Sequence, residues 1–279
     1  MSALADRLGV TPGPVLRLWG MRRSGNHAIA DWITRNAPSG GSVFLNNCMA
    51  GRDPLKSFRT IEVNGDQIPV KPARADLAAS VAPAGQGALL LLSYEDSSPA
   101  EDRGGRPVSA EFDEAQIAHE IVIYRGFLNW AASLLRKMQG NANYSLVRRN
   151  AVLLRAIDTY TRFLGLVEAG DRQGLTLIGY DRWCADATYR ADRLDRLGLA
   201  RRDNTLGVVQ PYGGGSSFQK DATRAGDLAT SDRGRQMALD PEYRAILTLS
   251  AMDDALMARL DAVFPEDAAH LRAQARGLA

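Results

Sequence analysis

Five short apolar runs punctuate the chain, at Val15–Trp19, Ser42–Leu45, Ala88–Tyr94, Glu120–Tyr124 and Leu175–Tyr180. Each is nearly continuous rather than alternating, which is the pattern of strands covered on both faces. Helical periodicity occupies the intervals. Over 145–169, Leu146, Leu153, Ile157, Tyr160, Leu164 and Val167 fall three, four or seven apart and make one apolar stripe, with Gly170 placed to stop it. Asp240-Pro241 offers a capping residue followed by proline at the first helical position. It predicts a helix running through Leu249, Met252, Leu256, Leu260 and Val263.

Alternating strand and helix predict an α/β fold with a central, mainly parallel β-sheet flanked by helices on both faces. This is a three-layer α/β/α sandwich of the P-loop NTPase-like kind, in which ligands bind beyond the carboxyl ends of the strands. Gly and Pro collect at 38–41, 83–87, 99–107 and 211–215, segments too short for domain linkers, so residues 1–279 are expected to form a single domain. The chain's 279 residues suffice for one sizeable core.

The formal charge of +2 is too small to predict general affinity for nucleic acid or a membrane, though it permits local basic sites for an anionic ligand. Cys48 and Cys184 lie far apart, and His27, His119 and His270 are scattered. Neither a disulfide framework nor a metal site is expected. The first residues lack a basic segment leading into an apolar run, and no stretch has the roughly 18 apolar residues of a membrane span. A cytoplasmic location is the expectation. Oligomeric state is not encoded in any pattern of this sequence.

The chemistry concentrates after the first predicted strand, where Gly20-Met21-Arg22-Arg23-Ser24-Gly25-Asn26-His27 leads into a segment of helical character. A strand, a glycine-framed turn and a helix N-terminus offer converging backbone N–H groups and the positive end of a helix dipole, an arrangement suited to anions. The spacing Gly20-x4-Gly25 matches the start of a Walker A loop, but Asn26-His27 stands where that motif has Lys-Ser/Thr. The lysine for the β/γ-phosphates and the hydroxyl for magnesium are both missing, which argues against a magnesium-nucleotide hydrolase. The cations supplied instead are Arg22 and Arg23, whose guanidinium forks suit phosphate oxygens.

A second anchor follows the fourth predicted strand, which ends in Arg125, with Ser133 eight residues later in a helical segment. The two motifs together resemble those of the PAPS-dependent sulfotransferase family: a basic residue followed by Ser-Gly in a strand-loop-helix segment, then a strand-Arg-x7-Ser segment. The stretch Leu175–Trp183 and its trailing helix look like the family's later strand with Tyr-Glu-Asp-Leu, so the resemblance covers about residues 15 to 199. It implies a co-substrate, 3'-phosphoadenosine 5'-phosphosulfate (PAPS), with no metal. Arg22, Arg23, Ser24, Gly25, Asn26 and His27 would hold the 5'-phosphosulfate, and Arg125 and Ser133 the 3'-phosphate. The chain departs from the family at Arg22, where proline is common, at Asn26-His27 in place of Thr-Thr, and at Gly126-Phe127 in place of Asp-Pro. A late loop around 211–220 could close over the nucleotide.

Transfer of a sulfuryl group to a hydroxyl also needs a proton acceptor within hydrogen-bond reach. Glu95 is the first choice, because it ends the strand whose counterpart in the family carries the catalytic base. Asp96 and His27 are alternatives, and Arg23 would stabilise the bridging oxygen. The acceptor would be a small molecule or carbohydrate, with a sugar or related alcohol slightly favoured by the glutamate. Two rival functions remain on sequence alone: a P-loop phosphotransferase or kinase, and a non-catalytic adenosine-phosphate binding protein.

Overall fold

A seven-stranded sheet of order β4-β3-β2-β5-β1-β6-β7 organises the chain. The strands are β1 (Val15–Gly20), β2 (Ser42–Asn46), β3 (Thr60–Val63), β4 (Asp66–Ile68), β5 (Leu89–Glu95), β6 (Ile117–Tyr124) and β7 (Leu175–Gly179). This computed structural model describes residues 3–101, 104–170, 174–209, 216–219 and 221–276. β1, β2, β5, β6 and β7 are mutually parallel, whereas β3 and β4 are antiparallel additions at one edge. The sheet is therefore mixed. The edge hairpin had no counterpart among the predicted strands because its members are only four and three residues long. Its turn is Asn64-Gly65, both with positive φ (54° and 87°), the two-residue geometry whose twist matches paired strands.

Alternation along each strand feeds two separate cores, one per face. Leu16, Leu18, Leu89, Leu91, Ile121 and Ile123 pack with Ile29, Trp32, Ile33 and Trp183, from the helices Asn26–Arg35 and Tyr180–Ala185. Val15, Trp19, Leu90, Leu92 and Val122 pack with the helices Phe127–Gln139, Leu146–Ala169 and the C-terminal helices on the other face. The three-layer α/β/α arrangement is thus present. Among the described residues no helix is long and apolar enough to cross a membrane.

Two periodicity readings need correction. In Leu146–Ala169 the buried stripe is Leu153, Ile157, Tyr160, Phe163, Leu164 and Leu166, and Leu146 is exposed because the first turns of the helix are not packed against the core. The predicted single helix after Pro241 is two, Pro241–Ser250 and Asp254–Val263. The Asp253 side chain accepts from the Leu256 N–H and starts a fresh helix. Leu249 and Met252, read as part of one stripe, are exposed at this break.

One polar cluster lies inside the sheet layer. Arg17 on β1 is buried and donates through Nε to Glu120 on β6 (2.9 Å), and through Nη1 to Ser109 Oγ (2.9 Å) and Glu114 (2.8 Å). Trp19 Nε1 donates to the same Glu120 carboxylate at 2.6 Å. These bonds fasten the 109–114 segment onto two strands.

The turn after β1 depends on backbone conformations that few residues adopt. Arg23 has φ 71° and Gly25 φ 93°, and a Cβ built on Gly25 would stand 2.1 Å from the Tyr180 ring. Gly25→Ala should therefore lose about 2 kcal/mol or more of stability in urea unfolding, from left-handed strain together with displacement of Tyr180; an unchanged midpoint would show that the turn relaxes freely. Glu120→Ala, which leaves buried Arg17 with Glu114 as its remaining carboxylate, should cost about 3 kcal/mol. A loss under about 1 kcal/mol in the same measurement would mean that the pair behaves as a surface ion pair.

Candidate functional site

Sheet topology decides where the chemistry meets. β1 lies between β5 and β6, so the chain departs in opposite directions from neighbouring carboxyl ends, the arrangement that opens a crevice beyond a parallel sheet. Register pairs Gly20 with Glu95 on one side and with Ile123 on the other. The turn after β1, the end of β5 and Arg125 just past β6 are thereby placed side by side. A cleft of about 680 Å³ opens there, lined by Arg23, Gly25, Asn26, His27, Glu95, Arg125, Tyr180 and Arg233, with Val208, Val209, Ala225 and Leu228 forming an apolar wall.

On one side of the cleft three guanidinium groups cluster, two of them bonded to one hydroxyl. Ser133, fully buried on the helix Phe127–Gln139, accepts from Arg23 Nε at 3.3 Å and from Arg233 Nη1 at 2.8 Å. Arg125 donates through Nη1 to the Arg23 carbonyl at 3.0 Å and through Nη2 to the Thr230 carbonyl. Its Cζ sits 4.9 Å from the centre of the Tyr180 ring, and its own carbonyl accepts from Tyr160 Oη at 2.6 Å. Arg125 and Arg233 are 1% and 5% exposed. Burial, then the nearby Arg125 charge, holds the Arg23 guanidinium below its ordinary value. The same two causes bring Arg233 down to about 10. Asp181 Oδ1 stands 3.5 Å from Arg125 Nε. Positive charge is thus gathered in a place where water cannot disperse it, which favours a multiply charged anion.

The backbone of this region is held from several directions. Asn26 Nδ2 donates to the Met21 carbonyl at 3.2 Å, and Trp130 Nε1 donates to the Arg22 carbonyl at 3.1 Å. Gly126 and Phe127, which stand in place of Asp-Pro, are accommodated by carboxylates from elsewhere. The Gly126 N–H donates to Asp181 Oδ2 at 3.0 Å and the Leu128 N–H to Asp267 Oδ2 at 3.3 Å, so two acids cap a helix whose own cap residue is glycine.

At the other end of the cleft, Glu95 accepts from Asn26 Nδ2 at 3.3 Å through one oxygen and from Asn47 Nδ2 at 3.2 Å through the other. Burial, and secondarily the Asp96 charge, raises its carboxyl above the ordinary glutamate value, while the Asn26 bond and the charges of Arg22 and Arg59 oppose the rise. Asp96 accepts from both the backbone and the side chain of Arg22. His27 lies beside Arg23 and is held down to about 4, by burial first and that guanidinium second, so near neutral pH it is uncharged.

Of the residues singled out from sequence, Arg23, Gly25, Asn26, His27, Glu95 and Arg125 line the cleft, and Ser133 lies behind it as the hydroxyl shared by two arginines. Ser24 is buried within the turn. Arg22 is directed to Asp96 and is not among the residues lining the cleft. Residues 211–215 and 220 of the late loop lie outside the described residues; Ser216 lines the cleft and Ser217 Oγ accepts from Arg23 at 3.3 Å. Sequence reasoning missed Arg233 and Asn47. Arg233 sits in Asp232-Arg233-Gly234-Arg235, an arginine-rich stretch among many, with no strand end or glycine frame to distinguish it. Among the described residues no group of three or more His, Cys, Asp or Glu side chains is placed to hold a metal ion.

No protein-family model matches the chain, and no curated protein does. Among solved structures it is similar to mouse sulfotransferase SULT7A1 complexed with PAP, at 12% identity over 98% of this chain and 93% of that one, with a TM-score of 0.48.

Proposed function

We propose that this protein transfers a sulfuryl group from PAPS to an acceptor hydroxyl. The observation that carries the reading is a cluster of three arginines, Arg23 and Arg233 bonded to Ser133 and Arg125 bonded to the Arg23 carbonyl, lining a cleft that also holds Glu95. A bisphosphorylated adenosine supplies the negative charge that this cluster lacks. The apolar wall of Val208, Val209 and Leu228 suits an adenine ring. The turn after β1 supplies helix N-terminal N–H groups without the lysine and hydroxyl that a magnesium nucleotide requires.

In the proposed reaction the acceptor oxygen attacks sulfur in line with the departing phosphate oxygen. A new S–O bond forms to the acceptor, the S–O bond to the phosphate breaks, and the hydroxyl proton passes to the Glu95 carboxylate. The products are a sulfate ester and 3',5'-ADP (PAP). Negative charge grows on the leaving phosphate, where Arg23 and the turn N–H groups stabilise it. Arg125, Ser133 and Arg233 take the 3'-phosphate. Glu95 is a better proton acceptor than His27, because its carboxyl is raised above the ordinary value whereas the imidazole is held down to about 4. Uncharged His27 is suited to donate a hydrogen bond to a phosphosulfate oxygen. Asn26 and Asn47 orient the two carboxylate oxygens.

Glu95→Gln should leave PAP affinity within about twofold of the wild type and cut turnover by about 100-fold or more. It should also remove the limb of the pH–rate profile in which activity rises as the raised carboxyl ionises; a parallel loss of affinity and turnover would show that the residue is not a base. The same substitution should stabilise the fold at pH 7 to 8, where the wild type holds an ionised carboxylate in a site that disfavours it. Because the folded pKa is raised, this gain should shrink as pH falls through that value toward the unfolded one near pH 4, readable in paired thermal melts. Arg233→Ala and Arg125→Ala should each weaken PAP by more than tenfold in calorimetric titration, about 1.4 kcal/mol. An unaltered affinity in both would remove the cluster from the nucleotide site.

A further inference from the structure

A second cavity, of about 670 Å³, is lined by residues of the segment after β2, whose Asn47 bonds Glu95. Its walls come from the two segments that flank the strand ends: Met49, Arg52 and Lys56 after β2, Ala110 and Glu111 before β6, with Arg74 from the helix Val70–Ala75. Its distance from the reaction centre is set by the chain itself. Asn47 bonds Glu95 through its side chain, the Cys48 N–H donates to the Ser93 carbonyl at 2.7 Å, and the next residue, Met49, already lines the groove.

The groove is electrostatically unbalanced. Arg52 has no carboxylate within ion-pair distance among the described residues. Arg74 is fixed by a bond to the Phe58 carbonyl and by stacking 5.2 Å above the Phe58 ring. On the acidic side, Asp53 is committed to Arg7 and to the Leu55 N–H. Asp53 also stands 3.8 Å from Lys56 Nζ, and largely exposed Glu111 3.5 Å from it, so two carboxylates, one of them shared with Arg7, face Arg52, Lys56 and Arg74. No aromatic ring is among the lining residues, and Met49 and Ala110 are the apolar ones. Phenols or steroids need an apolar enclosure, which these walls do not provide. A hydroxyl-rich acceptor bearing negative charge matches both the polarity and the sign.

We propose that the acceptor is an acidic saccharide, held through its carboxylate or sulfate groups by Arg52, Lys56 and Arg74 so that a hydroxyl reaches Glu95. The charge of the groove stands independently of the reaction, whereas the role given to Glu95 rests on the sulfuryl-transfer reading. The test is calorimetric titration of the protein, with and without PAP, using three tetrasaccharides: heparosan (alternating glucuronate and N-acetylglucosamine), its N-sulfated form, and neutral chitotetraose. Heparosan or its N-sulfated form should bind at about 50 mM salt and at least tenfold more weakly at about 300 mM, with chitotetraose at least tenfold weaker than the acidic ligand. The two acidic arms separate carboxylate from sulfate recognition.

Arg52→Ala/Lys56→Ala should weaken the acidic ligand by tenfold or more with PAP affinity unchanged, and Arg52→Lys/Lys56→Arg should restore it, which separates charge from folding. Equal binding of neutral and acidic ligands, no binding of either acidic one, or an acidic affinity unmoved by the alanine pair would overturn the proposal. Acidic-saccharide binding without any PAP binding would instead sink the nucleotide reading while leaving the groove assignment standing.

Discussion

Mutual repulsion among buried guanidinium groups is the constraint around which this molecule is arranged. Arg23, Arg125 and Arg233 come from three separate parts of the chain; Arg23 and Arg233 share the Ser133 hydroxyl, and Arg125 bonds the Arg23 carbonyl with Asp181 at 3.5 Å. Folding has to tolerate that concentration of charge, and it does so by committing much of the hydrogen-bonding capacity of Arg125 to the carbonyls of Arg23 and Thr230. The same bonds tie the turn after β1 to the covering segment near residue 230. An anion that neutralises the cluster would also tighten the elements that build it, so ligand affinity and local order are coupled by the same charges.

The strand order then sets what faces the cluster. Because β5 lies directly beside β1, Glu95 ends one residue position across from Gly20, and Asn26 reaches both the turn and the carboxylate. A carboxyl with raised pKa, Glu95, and two arginines with lowered pKa values, Arg23 and Arg233, therefore line one cleft. Each is costly to hold in its charged form. Asn26, bonded to Glu95, and His27, beside Arg23, line the same cleft, an arrangement that suits the proposed reaction.

Stability comes from elements that take no part in this chemistry. Two cores, one on each face of the sheet, hold the strand ends in place, and the Arg17–Glu120–Glu114 cluster fastens the segment before β6 to the strands. Asp267, on the helix Pro265–Arg276, accepts from Leu128 at the start of the helix carrying Ser133. The C-terminal part of the chain, where the family resemblance fades, is thus structurally attached to the helix that carries Ser133.

Sequence alone determined the elements whose signals are local. Buried parallel strands read as continuous apolar runs, the turn after β1 reads as a glycine frame before a helix, and the strand-end Arg125 with Ser133 has a fixed spacing. Short amphipathic signals failed where a cap outweighs periodicity: the hydrophobic repeat runs unbroken past Met252, yet Asp253 starts a new helix, and the edge hairpin was too short to register. Tertiary structure alone decided which charges meet. Arg233 has no distinguishing neighbours in sequence and reaches Ser133 only because the chain folds back over the sheet after β7. Arg22 and Arg23 are adjacent and chemically identical, but the positive φ of Arg23 turns one side chain into the cleft and leaves the other to Asp96. Backbone conformation and long-range burial carry no one-dimensional signature, so charge convergence was invisible until the strands were ordered.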